Sequence, residues 1–385
     1  MGVPKRKQSN SRTGMRRSHH ALKAKQLQAC PKCSTMKPSH VVCPNCGNYA
    51  GRAIVDHPEM ELVGAFAWSP EKAGTDVGEL IGIEPLGITA TSDVGEILAL
   101  APDVIGYYPI MRTEAVPEHV DNICRFLEAG INVVSTANVI TGRWWGAEER
   151  FAESGAKGNA SLFASGVNPG FINQLMLTAA GVCSDVRKLS VWEEAECSGY
   201  DSPELWETVA FGHSPDEPDL MKYFHQGTAV FEDTVAMMAD ALELELDEIR
   251  YVPEIALATK DLELGWITIK EGHIAGLKNY WLGIKDGIEV IELGTIWKMT
   301  EDVEPNWEIR HGWHVQIDGT PTVKLHIAGW PPEGESDSEI LMGLAMLMTA
   351  LPTVHAIPHV VAARPGVVTY KDLPLVTAAH TVRTK

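Results

Sequence analysis

Cys30, Cys33, Cys43 and Cys46 follow the pattern C-x2-C-x9-C-x2-C, two short pairs of thiolates with the spacing that closes a tetrahedral zinc site. Pro31 and Pro44 set φ inside the pairs, and Gly47 follows the second, where backbone N–H groups must turn toward sulfur. Thiolates repel one another without a metal, so this piece is expected to fold with zinc bound. Upstream, Lys5, Arg6, Lys7, Arg12, Arg16, Arg17, Lys23 and Lys25 stand among almost no apolar residues. Such a stretch has nothing to bury by itself, and its cations suit an RNA backbone, each contact releasing a counterion. The bland alternatives are a redox pair for the cysteines and a solvated or nuclear-targeting tail for the arm.

These groups sit in a chain of 385 residues with a formal charge of −19 that is unevenly spread. Residues 1–52 hold eleven basic side chains and no acidic one, leaving 21 of the 32 Lys and Arg against all 51 Asp and Glu in the remainder. The asymmetry points to a polyanion-binding arm joined to an acidic body. Length predicts two to three domains, and 45% hydrophobic residues can fill ordinary cores. The most apolar stretch, from Ile340, stops at Pro352, short of the ~20 residues a bilayer needs, and reads as a buried helix. No apolar run follows the basic start, which argues against a secretory signal. The cysteine usage, four in two pairs and Cys124, Cys183 and Cys197 scattered, fits a reducing, cytoplasmic compartment.

From residue 53 strands and helices alternate. Near-continuous apolar runs at 61–68, 103–109 and 131–136 read as buried parallel strands, with helices in TDVGELIG, in SDVGEILALA capped at Ser92, and in PEHVDNICRFLEAG stopped by Gly130. That rhythm predicts a doubly wound parallel sheet. After SGVNPGF (165–171) and a helix, the pattern becomes apolar–polar alternation between glycine turns, which predicts a mostly antiparallel open sheet with one face covered. Trp266, Trp281, Trp297, Trp307, Trp313 and Trp330 read more readily as packing of that sheet than as a pocket lining. The expected fold class is therefore α/β with α+β: basic arm (1–29), zinc ribbon (30–52), incomplete dinucleotide-binding lobe (53–165), open-sheet domain (166–345) and return segment (346–385).

MGVPKRKQSNSRTGMRRSHHALKA, CPKC and HVVCPNCGNYAGR resemble the bacterial large-subunit ribosomal proteins of the L-thirty-two family over nearly that small family's whole length. The resemblance implies a structural constituent of the large subunit, cytoplasmic and ribosome-associated. Ribosomal RNA would be held by Lys5, Arg6, Lys7, Arg12, Arg16, Arg17, His19 and His20. RAIVDHPEMELVGAFAWSPEKAG, SGVNPGF, YDSPELW and AIPHVVAARPGVVTYKDLP in turn resemble the dihydrodipicolinate reductase-like dehydrogenases, most closely those acting on 2,4-diaminopentanoate. That likeness implies a nicotinamide cofactor at Trp68, Ser69, Lys72, Tyr108, Pro109, Thr136, Ala137 and Gly170, with NADP preferred over NAD because no acidic residue ends the strand at Trp68. It also implies that Asn168 and Gly170 face the substrate, with Glu193, Glu194 and Glu196 as candidates for its amino groups or for catalysis. A solvated strand face accounts for those three carboxylates equally well.

The sequence departs from this second pattern where it matters most. A dinucleotide fold runs its first strand into G-x-G-x-x-G, whose glycines admit the pyrophosphate to a helix N-terminus; this chain has VVCPNCGNYAGRAIVDHP at that place. The first strand lies centrally in such a sheet, and its loss bares two interior edges. Three readings follow: a ribosomal protein carrying an inactive dehydrogenase-like passenger, a working reductase with an added zinc ribbon, or a junction of two reading frames. Completeness of the motifs favours the first. Self-association through the open sheet is a further expectation.

Overall fold

The computed structural model describes residues 27–29, 36–38, 57–109, 115–137, 139–330 and 338–382. The four paired cysteines, His19, His20 and the basic arm residues named above lie outside them. The chain divides into two compact units, one of residues 1–50 and 75–88, the other of residues 51–74 and 89–385.

In the first unit, β1 (Leu27–Ala29) and β2 (Met36–Pro38) pair antiparallel, Gln28 opposite Lys37. In sequence the first cysteine pair falls between them. The helix expected in TDVGELIG shrinks to α1 (Val77–Leu80). Asp76 caps it and closes the following loop, its carboxylate accepting Gly78 N at 2.7 Å, Leu86 N at 2.9 Å and Gly87 N at 2.7 Å. Those backbone bonds hold its carboxyl below the usual range.

The second unit opens with a departure from expectation. The run 61–68 forms no strand. Only Phe66 bridges, in parallel, to Thr91, through Ala67 N to Thr91 O at 2.8 Å and Thr91 N to Ala65 O at 2.9 Å. Next come α2 (Val94–Ala99), β3 (Val104–Tyr107), α3 (Val116–Glu128), β4 (Asn132–Ser135), α4 (Glu148–Gly158) and β5 (Ser161–Ala164). Helix α2 is capped by Asp93, not Ser92, because the Asp93 carboxylate reaches Gly95 N at 2.6 Å. The remaining elements are α5 (Phe171–Ala180), β6 (Val186–Glu196), α6 (Pro203–Thr208), α7 (Leu220–Thr228), α8 (Val230–Ala241), β7 (Glu248–Ala258), β8 (Leu262–Glu263), β9 (Thr268–Ile269), β10 (Ile274–Lys285), β11 (Ile288–Lys298), β12 (Val303–Glu304), β13 (Gly312–Gly319), β14 (Val323–Ile327), α9 (Ser338–Val361) and β15 (Gly366–Val368).

Two large sheets result. The parallel sheet has the order β15-β5-β4-β3. Strands β4 and β5 are buried on both faces, which is why they read as continuous apolar runs, whereas β3 at the edge leaves Gly106 exposed. Val133 and Leu162 point into a core shared with Ile123, Leu127 and Phe151 of α3 and α4. Their neighbours Val134 and Phe163 meet Val354, Ile357 and Val360 of α9 on the other side. Among the described residues β3 has a ladder partner on one edge only. This is the edge a first strand of such a fold would occupy, and among the described residues the Phe66 segment makes its single bridge to Thr91 and joins no sheet. Helix α9 runs past the expected stop, through Pro352 and Pro358. Each proline removes one backbone bond, and burial of Val354 to Val360 on the sheet offsets the loss. Its stretch Leu344–Val361 is long and apolar enough to cross a membrane by length and composition.

The second sheet has seven strands in the order β12-β7-β10-β11-β6-β13-β14, antiparallel except for β6 beside β11. Odd-numbered residues of β6, Leu189 and Val191, face α5 and α8 and join Met176, Val235 and Met238 in the largest core cluster. The alternation therefore decides which side chains of β6 face that covered side.

Candidate functional site

The loop between β5 and α5 and the far end of β6 build the site. Gly170 holds φ +134°, a backbone region reserved for glycine, and a Cβ there would lie 2.3 Å from Ser165 Oγ and 2.6 Å from Gly166 N. Gly170 N donates to Asn173 Oδ1 at 2.7 Å, and Ser165 Oγ meets Tyr370 OH at 2.7 Å. This tight loop fixes Asn168. Its Nδ2 donates to Glu193 Oε2 at 2.9 Å, and its Oδ1 is buried with no hydrogen-bond partner.

Two indoles complete the shell around Glu193. Trp313 stands directly opposite on β13 and donates Nε1–H to Oε2 at 2.8 Å. Trp297, diagonal on β11, donates to Oε1 at 3.1 Å. Burial pushes the Glu193 carboxyl up, opposed by these three N–H donors. No Lys, Arg or His pairs with it among the described residues. Tyr200 lies nearby, its phenol pushed up to about 12 by burial first and by the charge of Glu193 second. A row of polar side chains continues along the same face: Thr295, opposite Glu193, accepts Asn279 Nδ2 at 3.2 Å, and Asn279 Oδ1 accepts the Tyr251 hydroxyl at 2.5 Å.

The other two carboxylates of the trio have different surroundings. Glu194 points to the opposite face and is 3% exposed. It accepts Arg310 N at 2.8 Å and Arg310 Nη2 at 2.6 Å. Burial works against its charge, but Arg310 outweighs that and holds the carboxyl below the usual range. Glu196 is exposed and accepts the backbone N–H and the hydroxyl of Ser198. Of the six tryptophans, Trp281 is core and Trp330 is exposed, while Trp297 and Trp313 have the polar role that packing alone does not express.

The positions expected to take a nicotinamide dinucleotide are scattered along the carboxyl ends of the parallel strands. Tyr108 follows β3 with its hydroxyl 2.9 Å from Thr353 Oγ1, and Pro109 comes next. Thr136 and the fully buried Ala137 follow β4. There Ser135 ties the two strand ends, donating to Tyr107 O at 2.7 Å and accepting Ala137 N at 3.0 Å. Ser69 and the exposed Lys72 form a turn after the Phe66 bridge. The Trp68 ring stands edge-on to His119 at 5.8 Å, and His119 Nδ1 bonds Tyr107 OH at 2.7 Å. These residues stand beyond the ends of β3 and β4 and after the Phe66 bridge. They offer no glycine cradle for the pyrophosphate of a dinucleotide, and no G-x-G occurs anywhere in the sequence.

A parallel sheet followed by a large mixed sheet is the Rossmann-like dehydrogenase architecture. The solved amine dehydrogenase from Mycobacterium smegmatis superposes with a TM-score of 0.65 at 21% identity, covering 83% of this chain and 90% of that one. The chain belongs to the 2,4-diaminopentanoate dehydrogenase family, whose C-terminal domain matches residues 171–384, and carries ahead of it a Ribosomal L32p protein family segment, matched over residues 2–57. An amine dehydrogenase from Streptomyces virginiae is 30% identical over 344 residues, 86% of this chain and 94% of the relative. The large ribosomal subunit protein bL32 of Thermus thermophilus is 56% identical over 54 residues, 14% of this chain and 90% of the relative.

Proposed function

We propose that the chain is a large-subunit ribosomal protein whose first 52 residues bind ribosomal RNA, and whose acidic body keeps the amine-binding half of a dehydrogenase while dinucleotide binding is impaired. The observation that carries the ribosomal part is the 56% identity across 90% of a bL32 protein. The basic arm residues and all four paired cysteines stand in that stretch. Lys5, Arg6, Lys7, Arg12, Arg16, Arg17, His19 and His20 contact RNA, and Cys30, Cys33, Cys43 and Cys46 hold zinc. On this reading the protein is cytoplasmic and ribosome-associated, divided at 29, 52, 165 and 345. Cosedimentation with 50S particles that survives moderate salt tests it, since threaded RNA contacts outlast loose charge attraction; recovery only in the free pool overturns it.

The second reading is a working NAD(P)-dependent dehydrogenase of an amine or amino-acid-derived substrate, with the zinc ribbon as an appendage. Coverage of 94% of an amine dehydrogenase supports it, as does the fixed carboxylate of Glu193. Calorimetry with NADPH separates the two: ordinary micromolar affinity favours the enzyme, and affinity at least a hundredfold weaker favours the impaired lobe.

A further inference from the structure

Glu193 is a carboxylate held by neutral N–H donors with no cation beside it among the described residues. Three neutral N–H donors orient it, two on Oε2 and one on Oε1. A carboxylate has about four lone-pair directions, so Oε1 keeps one open position while Oε2 is saturated. Neutral donors satisfy geometry but leave the charge, and burial of an unpaired carboxylate is costly. Two neighbouring carboxylates do have cations, the buried Glu194 with Arg310 and the half-buried Glu292 on β11 with Lys188 at 2.6 Å.

The second sign is Asn168. Its amide orientation is set by the carboxylate, because the flipped form would put Oδ1 against Oε2. In that orientation Oδ1 is a buried acceptor with no donor, and such an orphan is kept where the other end of the side chain has work to do. Gly170, whose conformation excludes any other residue, holds the loop in place. Trp297 and Trp313 bring apolar faces as well as N–H edges to the carboxylate.

We infer that Glu193 is the anionic half of an ammonium subsite, taking a protonated primary amine with an apolar carbon body at the open position of Oε1, and that Asn168 and Trp313 position it. This rests on the dehydrogenase reading for its relevance to catalysis, but binding itself needs no cofactor. A carboxylate on the ligand next to the ammonium would approach Glu193 and be repelled, so a simple amine is favoured over its amino-acid counterpart.

The test uses the full-length chain with 15N-labelled tryptophan, the indole N–H signals assigned by Trp297→Phe and Trp313→Phe. Cyclohexylamine hydrochloride is titrated at pH 7 without cofactor, beside neutral cyclohexanol. The amine is expected to move the Trp297 and Trp313 indole signals saturably, with cyclohexanol at least tenfold weaker. Glu193→Gln is expected to weaken the amine at least tenfold and leave cyclohexanol within twofold. Asn168→Ala, off the sheet and safe for folding, is expected to weaken the amine several-fold. Equal amine affinity in wild type and both variants, or no saturable shift in the wild type, overturns the subsite. Amine binding without NADPH affinity leaves the subsite standing and removes the enzyme reading; NADPH-linked amine oxidation undiminished in Glu193→Gln does the reverse.

Discussion

Replacing Asn168 by alanine sets two terms of similar size against each other. The substitution deletes a charge-assisted bond, Nδ2 to Glu193 Oε2 at 2.9 Å, worth about 1.5–3 kcal/mol. It also deletes an orphan buried acceptor, Oδ1, whose removal returns about 1–3 kcal/mol. The expected net change at pH 7 is within about 1.5 kcal/mol of zero, with the urea m-value unchanged. Asn168→Asp keeps the shape and brings a second carboxylate to Glu193. At an effective dielectric of about 20, two such charges 4 Å apart repel by on the order of 4 kcal/mol, so this variant is expected to be the less stable by several kcal/mol. The sign with pH follows from linkage. The crowded pair has a folded pKa raised above its unfolded value of about 4, so stability is fully present below pH ~4 and is lost as pH rises through the raised folded value. Urea melts at pH 4 and pH 7 decide it. A loss above about 3 kcal/mol for Asn168→Ala, or equal stability of the two variants at pH 7, refutes the reasoning.

Two further outcomes are expected. Glu194 is held below the usual carboxylate range by Arg310, so its contribution is present above the unfolded pKa of about 4.3 and lost as pH falls through the lower folded value. Glu194→Gln should cost about 1–2 kcal/mol at pH 7, after allowance for the exposed Arg310 side chain, and flatten the acid limb of thermal melts recorded between pH 3 and 7. Cys43→Ser should lower bound zinc, measured by plasma mass spectrometry, from about one per chain to a labile fraction, with ribosome cosedimentation falling alongside it.

Much of the second unit could be read from residues because its burial is simple. Strands β4 and β5 are covered on both faces and spell continuous apolar runs; β7 and β13 of the mixed sheet alternate because one of their faces is the more covered, while the central β10 is buried on both. That alternation assigns Glu193 and Glu194 to opposite faces. The step that adjacent spacing leaves open is which face meets the loop carrying Asn168, because that depends on the parallel pairing of β6 with β11, elements about a hundred residues apart in sequence. Trp297 and Trp313 were visible as candidates, but their N–H groups find Glu193 only through register across three strands. The run 61–68 shows the converse. Its apolar content suits a central strand, yet a strand needs neighbours, and with the adjoining edge of β3 unpaired among the described residues it makes one bridge.

That unpaired edge carries the last prediction. The ammonium subsite is built from residues between Asn168 and Trp313, and none of it depends on the first strand of the dinucleotide lobe. On the proposed reading, amine binding and dinucleotide binding are therefore separable. If, as proposed, dinucleotide binding is impaired for want of a first strand and its glycine loop, supplying them should restore the cofactor and leave the amine subsite as it was. A chimera in which a strand and G-x-G-x-x-G loop from the Streptomyces virginiae relative precede residue 52 gives β3 a partner and the pyrophosphate a backbone cradle. NADPH affinity should rise at least a hundredfold by calorimetry, Val104 to Tyr107 should gain amide-exchange protection, and amine affinity should stay within twofold. Protection gained without NADPH affinity would mean that Tyr108, Thr136 and Ser69 do not form a cofactor site even when β3 has a partner, and would overturn the proposed cause.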